Sequence, residues 1–231
     1  MILTLEKRII EAPGVETFVF RSDSPLSWQA GQFIHYVLSH EPADNRGADR
    51  WFTISTAPYE EKIALTTRFD SERSSSFKSQ LIKLEAGETI LAKEIGGGFL
   101  FASEQAEQHH VFIAGGIGIT PYRSILKQLA HEDKQPEITL IYANRDQNFV
   151  YQVELEQLAE TNPNLKIHYL ADPERLSLTK IQELVPDLNS AIVYISGPKG
   201  LVKTLEKDLR EAGVREDNLR QDGFPGYPEG Y

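Results

Sequence analysis

A buried strand, a glycine turn and a helix start follow one another without interruption in residues 110–121, HVFIAGGIGITP. Glycines allow tight or positive-φ backbone and let a phosphate approach main-chain amides. Thr120 as N-cap and Pro121 at the first helical position begin a helix whose N-terminus attracts anions. The segment therefore predicts a phosphate cradle. Pro121 stands in the last glycine position of the G-x-G-x-x-G fingerprint, so a tight turn without a ligand is the alternative.

The chain has no cysteine among its 231 residues. Disulfides, thiolate catalysis, cysteine-held zinc and a cysteine-ligated iron–sulfur cluster within these residues are therefore excluded. Any redox work needs a bound organic cofactor. The adjacent His109 and His110 face opposite sides of a strand and the other histidines lack ligand spacing, so we expect no metal site.

The formal net charge is -10. This charge argues against nucleic acid as the main partner, because binding to a phosphate backbone needs a basic face. No apolar run approaches the roughly 18 to 20 residues needed to span a bilayer, and charges appear early in the N-terminal segment MILTLEKR. We expect a cytoplasmic monomer that does not insert into membranes.

Hydrophobic periodicity divides the chain into two halves. Up to about Leu100 the pattern is that of short alternating strands, interrupted by one helix that the serines 74–76 can cap. From His110 onward strands and helices alternate, and one helix is expected near 148–160 with Val150, Val153 and Leu158 on its buried side. The predicted fold is an N-terminal antiparallel β-barrel, residues 1–102, followed by a C-terminal α/β domain with a doubly wound parallel sheet, residues 109–231.

A second chemical pattern lies in the β half. The segment 50–58, RWFTISTAP, combines an arginine, an aromatic and a hydroxyl at alternate strand positions, which is expected to place them on one face. An arginine can fork onto a phosphate, an aromatic can cover a flat ring, and a hydroxyl can bond a ring heteroatom. Together these side chains suit a flavin nucleotide.

These motifs resemble those of ferredoxin–NADP⁺ reductase-like flavoproteins. Residues 50–53 are similar to the family's R-x-[YF]-[ST] flavin signature, and the glycine turn is similar to its nicotinamide-pyrophosphate loop. Three more segments match in order, namely Gly96-Gly97-Gly98-Phe99, Tyr142-Ala143-Asn144-Arg145 and Ser196-Gly197-Pro198.

The resemblance implies an FAD site and an NAD(P) site. Arg50 would bind the FAD pyrophosphate, Phe52 would lie against the isoalloxazine, and Thr53 would bond its hydride-accepting nitrogen. The remaining implied contacts are Ser74, Ser75 and Ser76 to phosphate, and, for the nicotinamide dinucleotide, Gly115, Gly116, Gly118, Thr120, Pro121, Gly197, Pro198 and Arg145. Arg145 near the adenosine ribose favours NADPH modestly over NADH.

Two positions depart from the family pattern. Ser196 stands where many relatives carry the cysteine beside the nicotinamide, and hydride transfer needs no thiol. Some relatives cover the flavin with a C-terminal aromatic, and Phe224, Tyr227 and Tyr231 all qualify. The resemblance thus gives Thr53, Ser196 and Phe224 places at the reacting atoms.

The implied activity is transfer of a hydride from NADPH or NADH to FAD, and of electrons from FAD to a separate acceptor. That acceptor is a ferredoxin- or flavodoxin-like carrier, another electron-acceptor protein or a small molecule. Two alternatives stay open: a flavin reductase that uses free flavin as substrate, and a non-catalytic nucleotide-binding subunit.

Overall fold

The computed structural model describes residues 1–70 and 74–224. The chain divides into two compact units, Met1–Leu100 and the residues from Phe101 onward. The finer domain limits expected from the sequence, 1–102 and 109–231, stay a prediction. Within the described residues, none of the helices has the length and apolar character that a membrane crossing requires.

The first unit is built on a six-stranded sheet with the order β4-β3-β6-β1-β2-β5, in which every strand pair is antiparallel. Its strands are β1 Ile2–Ala12, β2 Val15–Ser22, β3 Phe33–Val37, β4 Asp49–Thr53, β5 Ile63–Arg68 and β6 Thr89–Gly96, and its helix is α1 Ser76–Leu81. Just after β4, the Ser55 N–H donates to the Ala64 carbonyl of β5 at 2.9 Å. The two ends of the sheet order therefore meet, as the predicted barrel requires.

Alternation explains which side chains fill this unit. In β3 the residues Ile34 and Tyr36 are fully buried, while their neighbours are partly exposed. Phe18 and Phe20 of β2 are buried in the same core, and α1 adds Phe77. Period-two burial is what an antiparallel sheet with one covered face requires.

The second unit is a five-stranded parallel sheet with the order β11-β10-β7-β8-β9. Its strands are β7 His110–Gly115, β8 Ile138–Ala143, β9 Leu165–Leu170, β10 Ile192–Pro198 and β11 Leu219–Phe224. Its helices are α2 Thr120–His131, α3 Gln152–Thr161, α4 Leu178–Leu184 and α5 Lys199–Glu211. The predicted combination of an antiparallel β unit and a doubly wound α/β unit is confirmed.

The order of the parallel strands fixes where a ligand can bind. From β7 the chain winds outward through β8 to β9, then returns to β10 on the other side of β7. The neighbouring carboxyl ends of β7 and β10 therefore form the topological switch point, where open α/β sheets bind their ligands. The glycine turn and Ser196 both lie at these strand ends.

The start of α2 differs from the expectation. Residues Gly116–Ile119 form a 3₁₀ turn, and α2 begins at Thr120 with Ile119 as N-cap. Thr120 is thus the first helical residue and Pro121 the second. The Thr120 hydroxyl donates to the Ile117 carbonyl at 3.1 Å, which occupies it in the turn instead of in capping. The prediction of Thr120 as N-cap and Pro121 as first helical residue was wrong by one position.

Strand β11 was not predicted from the sequence, and it places Phe224 in register with Pro198 of β10.

The expected buried face of α3 was wrong. Helix α3 begins at Gln152, buries Leu155 completely and leaves the Val153 residue 69% exposed. The tertiary contacts of Leu155 decide which face of α3 is covered, against the expected placement of Val153.

Gly118 of the 3₁₀ turn after β7 packs closely against the end of β10, and this contact requires a glycine. A Cβ on Gly118 would lie 2.8 Å from the Gly197 Cα and still closer to the Ser196 carbonyl. Both neighbours are backbone atoms, which cannot rotate away. The tight-turn alternative therefore accounts for this glycine without any ligand.

We expect Gly118→Ala to lower the free energy of unfolding by about 1–3 kcal/mol, because overpacking against backbone forces the 3₁₀ turn away from the end of β10. Gly200→Ala in α5 is the matched control, since an added Cβ there meets no described atom within 4 Å. We expect the control to raise stability by about 0.4–1 kcal/mol through the lost freedom of the unfolded chain. Urea unfolding of the two variants measures both effects, and equal stabilities would contradict the packing argument.

Candidate functional site

The strand register decides which residues of the 50–53 segment share a face. Arg50 lies opposite Tyr36 and Phe52 lies opposite Ile34, so both stand on the core side of β4. Thr53 is adjacent to Phe52 and falls on the other side. The expectation that arginine, aromatic and hydroxyl share one face was therefore wrong for Thr53, which is nevertheless largely buried at the end of the strand.

The two aromatic side chains of this segment, Phe52 and Trp51, lie on opposite faces of β4 and differ in exposure. Phe52 is partly buried, with its ring 5.7 Å from that of Phe77 and 6.0 Å from that of Tyr36. Trp51 is 43% exposed and stacks on His35 with ring centroids 4.3 Å apart. The more exposed ring of the segment is thus Trp51, on the face opposite to Arg50.

Arg50 already holds an oxyanion. Its Nη2 donates to both carboxylate oxygens of Asp44, at 2.7 and 2.9 Å. Its Nη1 donates to the carbonyls of Arg46 at 3.0 Å, Gly47 at 2.9 Å and Asp49 at 2.5 Å. The buried Nε has no hydrogen-bond partner among the described residues. The guanidinium is thus of the kind that can bind a phosphate, and in this structure a carboxylate of the chain itself takes that place.

Asp44 joins Arg50 to the start of α1. The Ser76 N–H donates to Asp44 Oδ2 at 3.0 Å, and the Asp44 N–H donates to Ser76 Oγ at 2.9 Å. Partial burial acts to raise the pKa of Asp44, but the N–H groups of Arg46 and Ser76 and the Arg50 guanidinium outweigh it and hold that pKa well below its usual range. Asp44 therefore stays a carboxylate. Sequence analysis missed it because it lies in an irregular loop with no periodic signal.

The three serines that were expected to contact phosphate have different partners. The Ser75 hydroxyl caps α1 by accepting the Lys78 N–H at 3.3 Å. The Ser74 hydroxyl donates to the Asp70 carbonyl at 2.6 Å. Ser76, through Asp44, is thus the serine linked to Arg50.

At the switch point of the parallel sheet, Gly116 has a left-handed backbone with φ +54°. A Cβ added there would meet Asn144 Oδ1 at 3.9 Å, an ordinary contact distance, so the backbone of this turn is accessible. Gly115 is constrained instead by Pro198 and by the Leu201 side chain. At Gly116, therefore, the positive φ requires a glycine more than close packing does.

Ser196 is fully buried at the end of β10 and contacts a carboxylate. Its hydroxyl donates to Asp222 Oδ2 of β11 at 3.4 Å. Burial raises the pKa of Asp222 to about 6, although the Ser196 hydrogen bond acts in the opposite direction. Burial and the Asp222 charge both raise the pKa of the neighbouring Tyr122, whose hydroxyl donates to the Ile113 carbonyl. Sequence analysis missed Asp222 because it missed β11.

The loop after β8 presents Arg145. Asp146 Oδ1 accepts the Asn148 N–H at 2.8 Å and the Asn144 side-chain amide at 3.2 Å, and these bonds fix the turn. Arg145 is exposed in this turn and immediately precedes Asp146. Its role toward a 2′-phosphate stays a prediction.

A cleft of about 500 Å³ lies elsewhere in the second unit. It is lined by residues that precede β7 and β8, including Phe101 and Lys134, and by Lys166 at the start of β9. These positions are at the amino ends of the parallel strands, whereas ligands of open α/β sheets bind at the carboxyl ends. We therefore place the candidate nucleotide site at the glycine turn and not in this cleft.

Comparison with known proteins agrees with this geometry. Residues 112–207 match the family described as the oxidoreductase NAD-binding domain. The carnitine monooxygenase reductase subunit of Escherichia coli strain K12 is 27% identical over 195 residues, an alignment that covers 82% of this chain and 57% of that protein.

Two solved structures share the whole fold. The FAD/NAD-binding domain of nitric oxide dioxygenase from Vibrio cholerae has a TM-score of 0.83 at 20% identity, with 96% of this chain and 98% of that chain covered. Ferredoxin–NADP⁺ reductase from Plasmodium falciparum has a TM-score of 0.82 at 20% identity, with 96% and 95% covered. The fold of this chain is therefore that of FAD- and NAD-binding reductase structures, and its residues 112–207 are similar to an oxidoreductase NAD-binding domain.

The curated relatives are longer than the chain, which spans 57% of the reductase subunit and 59% of a flavohemoprotein from Rhodopirellula baltica. Within the second unit, the structure brings Ser196, Gly197 and Pro198 beside the glycine turn, and it places Phe224 next to Pro198. Tyr227 and Tyr231, the other two aromatics considered as flavin covers, lie outside the described residues. The individual cofactor contacts stay predictions.

The Asp222 carboxyl predicts a specific dependence of stability on pH. Because its pKa is higher in the folded than in the unfolded chain, the stability that it contributes is fully present below about pH 4 and is lost as the pH rises through about 6. We expect the stability of the wild type, relative to Asp222→Asn, to fall by roughly 1–3 kcal/mol between pH 4 and pH 7.

Urea unfolding across this pH range measures the difference. Asp217→Asn is the control, because it removes the same charge from an exposed side chain in the short turn just before β11. Parallel profiles for wild type and Asp222→Asn would show that Asp222 titrates normally.

Proposed function

We propose that this chain is an FAD-dependent NAD(P)H oxidoreductase that passes electrons to an acceptor outside its own residues. One observation carries the proposal. A single chain combines a buried arginine that holds an oxyanion on β4 with a positive-φ glycine turn at the switch point of a parallel sheet. The first arrangement suits the flavin pyrophosphate and the second suits the nicotinamide dinucleotide.

In the first unit, Arg50 would hold the FAD pyrophosphate through its guanidinium, with Ser76 as a neighbouring polar contact. Phe52 would bound one side of the ring system, and Thr53 at the end of β4 would offer a hydroxyl to it. When bound, FAD accepts a hydride from reduced nicotinamide and releases electrons singly or in pairs. The residues of the chain contribute binding and orientation rather than acid–base chemistry.

In the second unit, the backbone of Gly115, Gly116 and Gly118 and the start of α2 at Thr120 and Pro121 would receive the dinucleotide phosphates. Ser196, Gly197 and Pro198 would border the nicotinamide, with Phe224 beside them. The buried Ser196 hydroxyl, fixed by Asp222, would position the ring without a thiol. Exposed Arg145 favours NADPH modestly, and the nucleotide preference is left to experiment.

The acceptor is proposed from the chemistry of the chain and its relatives. No cysteine in these residues can ligate an iron–sulfur cluster, so electrons must leave for another centre. Similarity to a reductase subunit of a monooxygenase favours a protein acceptor, such as an oxygenase component or a ferredoxin-like carrier. The cytoplasmic location and the monomeric state stay predictions.

One observation favours a second candidate, a flavin reductase that uses flavin as a diffusing substrate. The fork of Arg50 is already neutralised by Asp44, and this pairing weakens the electrostatic attraction of the site for a phosphate. A weakly held flavin would exchange with solution between turnovers. Retention of FAD during purification separates the two candidates.

The main test is stopped-flow reduction of the FAD-loaded protein by NADPH and by NADH in parallel. We expect bleaching of the flavin absorbance with at least one nucleotide, because a hydride from reduced nicotinamide reduces the flavin. The ratio of the two rates measures the nucleotide preference. No bleaching with either nucleotide, with or without an acceptor, would support a non-catalytic binding subunit instead.

Arg50→Ala tests the flavin site itself. We expect FAD binding to weaken by about 1.5–3 kcal/mol, the contribution of a charge-assisted hydrogen bond. Titration of flavin fluorescence into flavin-free protein measures the dissociation constant. Arg21→Ala is the control, because it removes the same charge from an exposed side chain that pairs with Glu6 and not with Asp44. An unchanged affinity in Arg50→Ala would remove Arg50 from the site.

A further inference from the structure

We propose that Asp44 determines flavin specificity in this chain, because its carboxylate occupies the fork of Arg50 and must withdraw before that fork can bind the phosphates of a flavin nucleotide. The inference rests on the proposed function, since it concerns the same arginine. Arg50 and its neighbours would bind the flavin phosphates, whereas Asp44 would compete with those phosphates.

The hydrogen bonds of Arg50 show why withdrawal is necessary. An arginine has five N–H donors, and a forked contact to phosphate uses two parallel ones. In this structure Nη2 is directed at both oxygens of Asp44, and Nη1 is directed at the backbone carbonyls of Arg46 and Gly47. Buried Nε is left, and one N–H cannot form a fork. A forked phosphate contact therefore has to replace the Asp44 contact.

Electrostatic repulsion also requires Asp44 to withdraw before a phosphate can bind. The Asp44 carboxylate is 2.7 Å from the guanidinium, so an incoming phosphate meets a nearly neutral pair and a like charge beside it. A phosphate on the same guanidinium would lie beside the Asp44 carboxylate, and like charges in such proximity repel, more strongly where water is partly excluded. The Arg50 side chain is only 14% exposed. As long as Asp44 is in place, the site discriminates against anionic ligands.

Asp44 is held by contacts that can be separated from its charge. It lies in the loop between β3 and β4, and its oxygens also accept the N–H groups of Arg46 and Ser76. An asparagine at this position removes the negative charge and keeps one oxygen, which can accept one of these two N–H groups. Asp44→Asn therefore tests the competition with the loss of one hydrogen bond in the loop.

Riboflavin provides the decisive comparison, because it carries no phosphate and does not need the Arg50 fork. Removal of the Asp44 charge is expected to strengthen binding of FAD and FMN while leaving binding of riboflavin unchanged. Asp44 thus lowers the affinity of the wild type for FAD and FMN but not its affinity for riboflavin. This selective effect distinguishes competition from a general change in the fold.

The experiment measures dissociation constants of FAD, FMN and riboflavin for flavin-free wild type and Asp44→Asn by fluorescence titration. We expect FAD to bind Asp44→Asn about tenfold more tightly, which corresponds to about 1.4 kcal/mol, with riboflavin affinity within about twofold of wild type. Asp49→Asn is the matched control. Its carboxylate pairs with His35 at 3.1 Å and Lys93 at 3.6 Å instead of with Arg50, so FAD affinity is expected to stay at the wild-type value.

An Arg50→Ala background completes the test. If Asp44 acts through Arg50, adding Asp44→Asn to Arg50→Ala gives no comparable gain in FAD affinity. Asp44→Ser replaces Asp44→Asn if the asparagine variant does not fold, as judged by circular dichroism.

Three results are informative in different ways. Tighter FAD binding confined to the Arg50-containing variants supports the role of Asp44. Equal or weaker FAD binding by Asp44→Asn, in a protein that does bind FAD, overturns this role and leaves the proposed function intact. Failure of every variant to bind any flavin overturns both.

Discussion

The close approach of the 3₁₀ turn after β7 to the end of β10 is the constraint on which this edge of the second unit depends. Gly118 of that turn lies against the backbone of Ser196 and Gly197, and no side chain fits between them. The pairing of β7 with β10 places the carboxyl ends of the two strands side by side at the switch point. The glycine turn and the Ser196–Asp222 pair consequently share one edge of the sheet.

The two proposed anion sites, one in each unit, differ in the groups that would bind the anion. The parallel sheet offers main-chain N–H groups in a turn that requires the positive φ of Gly116, and backbone groups cannot change their charge. The antiparallel unit relies on one guanidinium, whose full charge is stronger but can be neutralised by a neighbouring carboxylate. Competition from within the chain is therefore possible at Arg50 and has no counterpart in a backbone cradle.

Periodicity was enough to predict both architectures, because alternate burial in β3 and the strand–turn–helix pattern after His110 are local signals. It could not predict features that depend on tertiary contacts. Thr120 was misplaced because a 3₁₀ turn competes with capping for its hydroxyl. Asp222 was missed because the register with Ser196 exists only once β11 pairs with β10. Asp44 was missed for a similar reason, since only folding of an irregular loop brings it to Arg50.

The pairing of Arg50 with Asp44 also bears on how the first unit folds without a ligand. A guanidinium that is largely withdrawn from water is costly unless a counter-charge accompanies it. An arginine that depended on a bound anion for that counter-charge would leave the unliganded polypeptide with an uncompensated cation. Here the counter-charge is encoded six residues away, so the chain itself neutralises this cation.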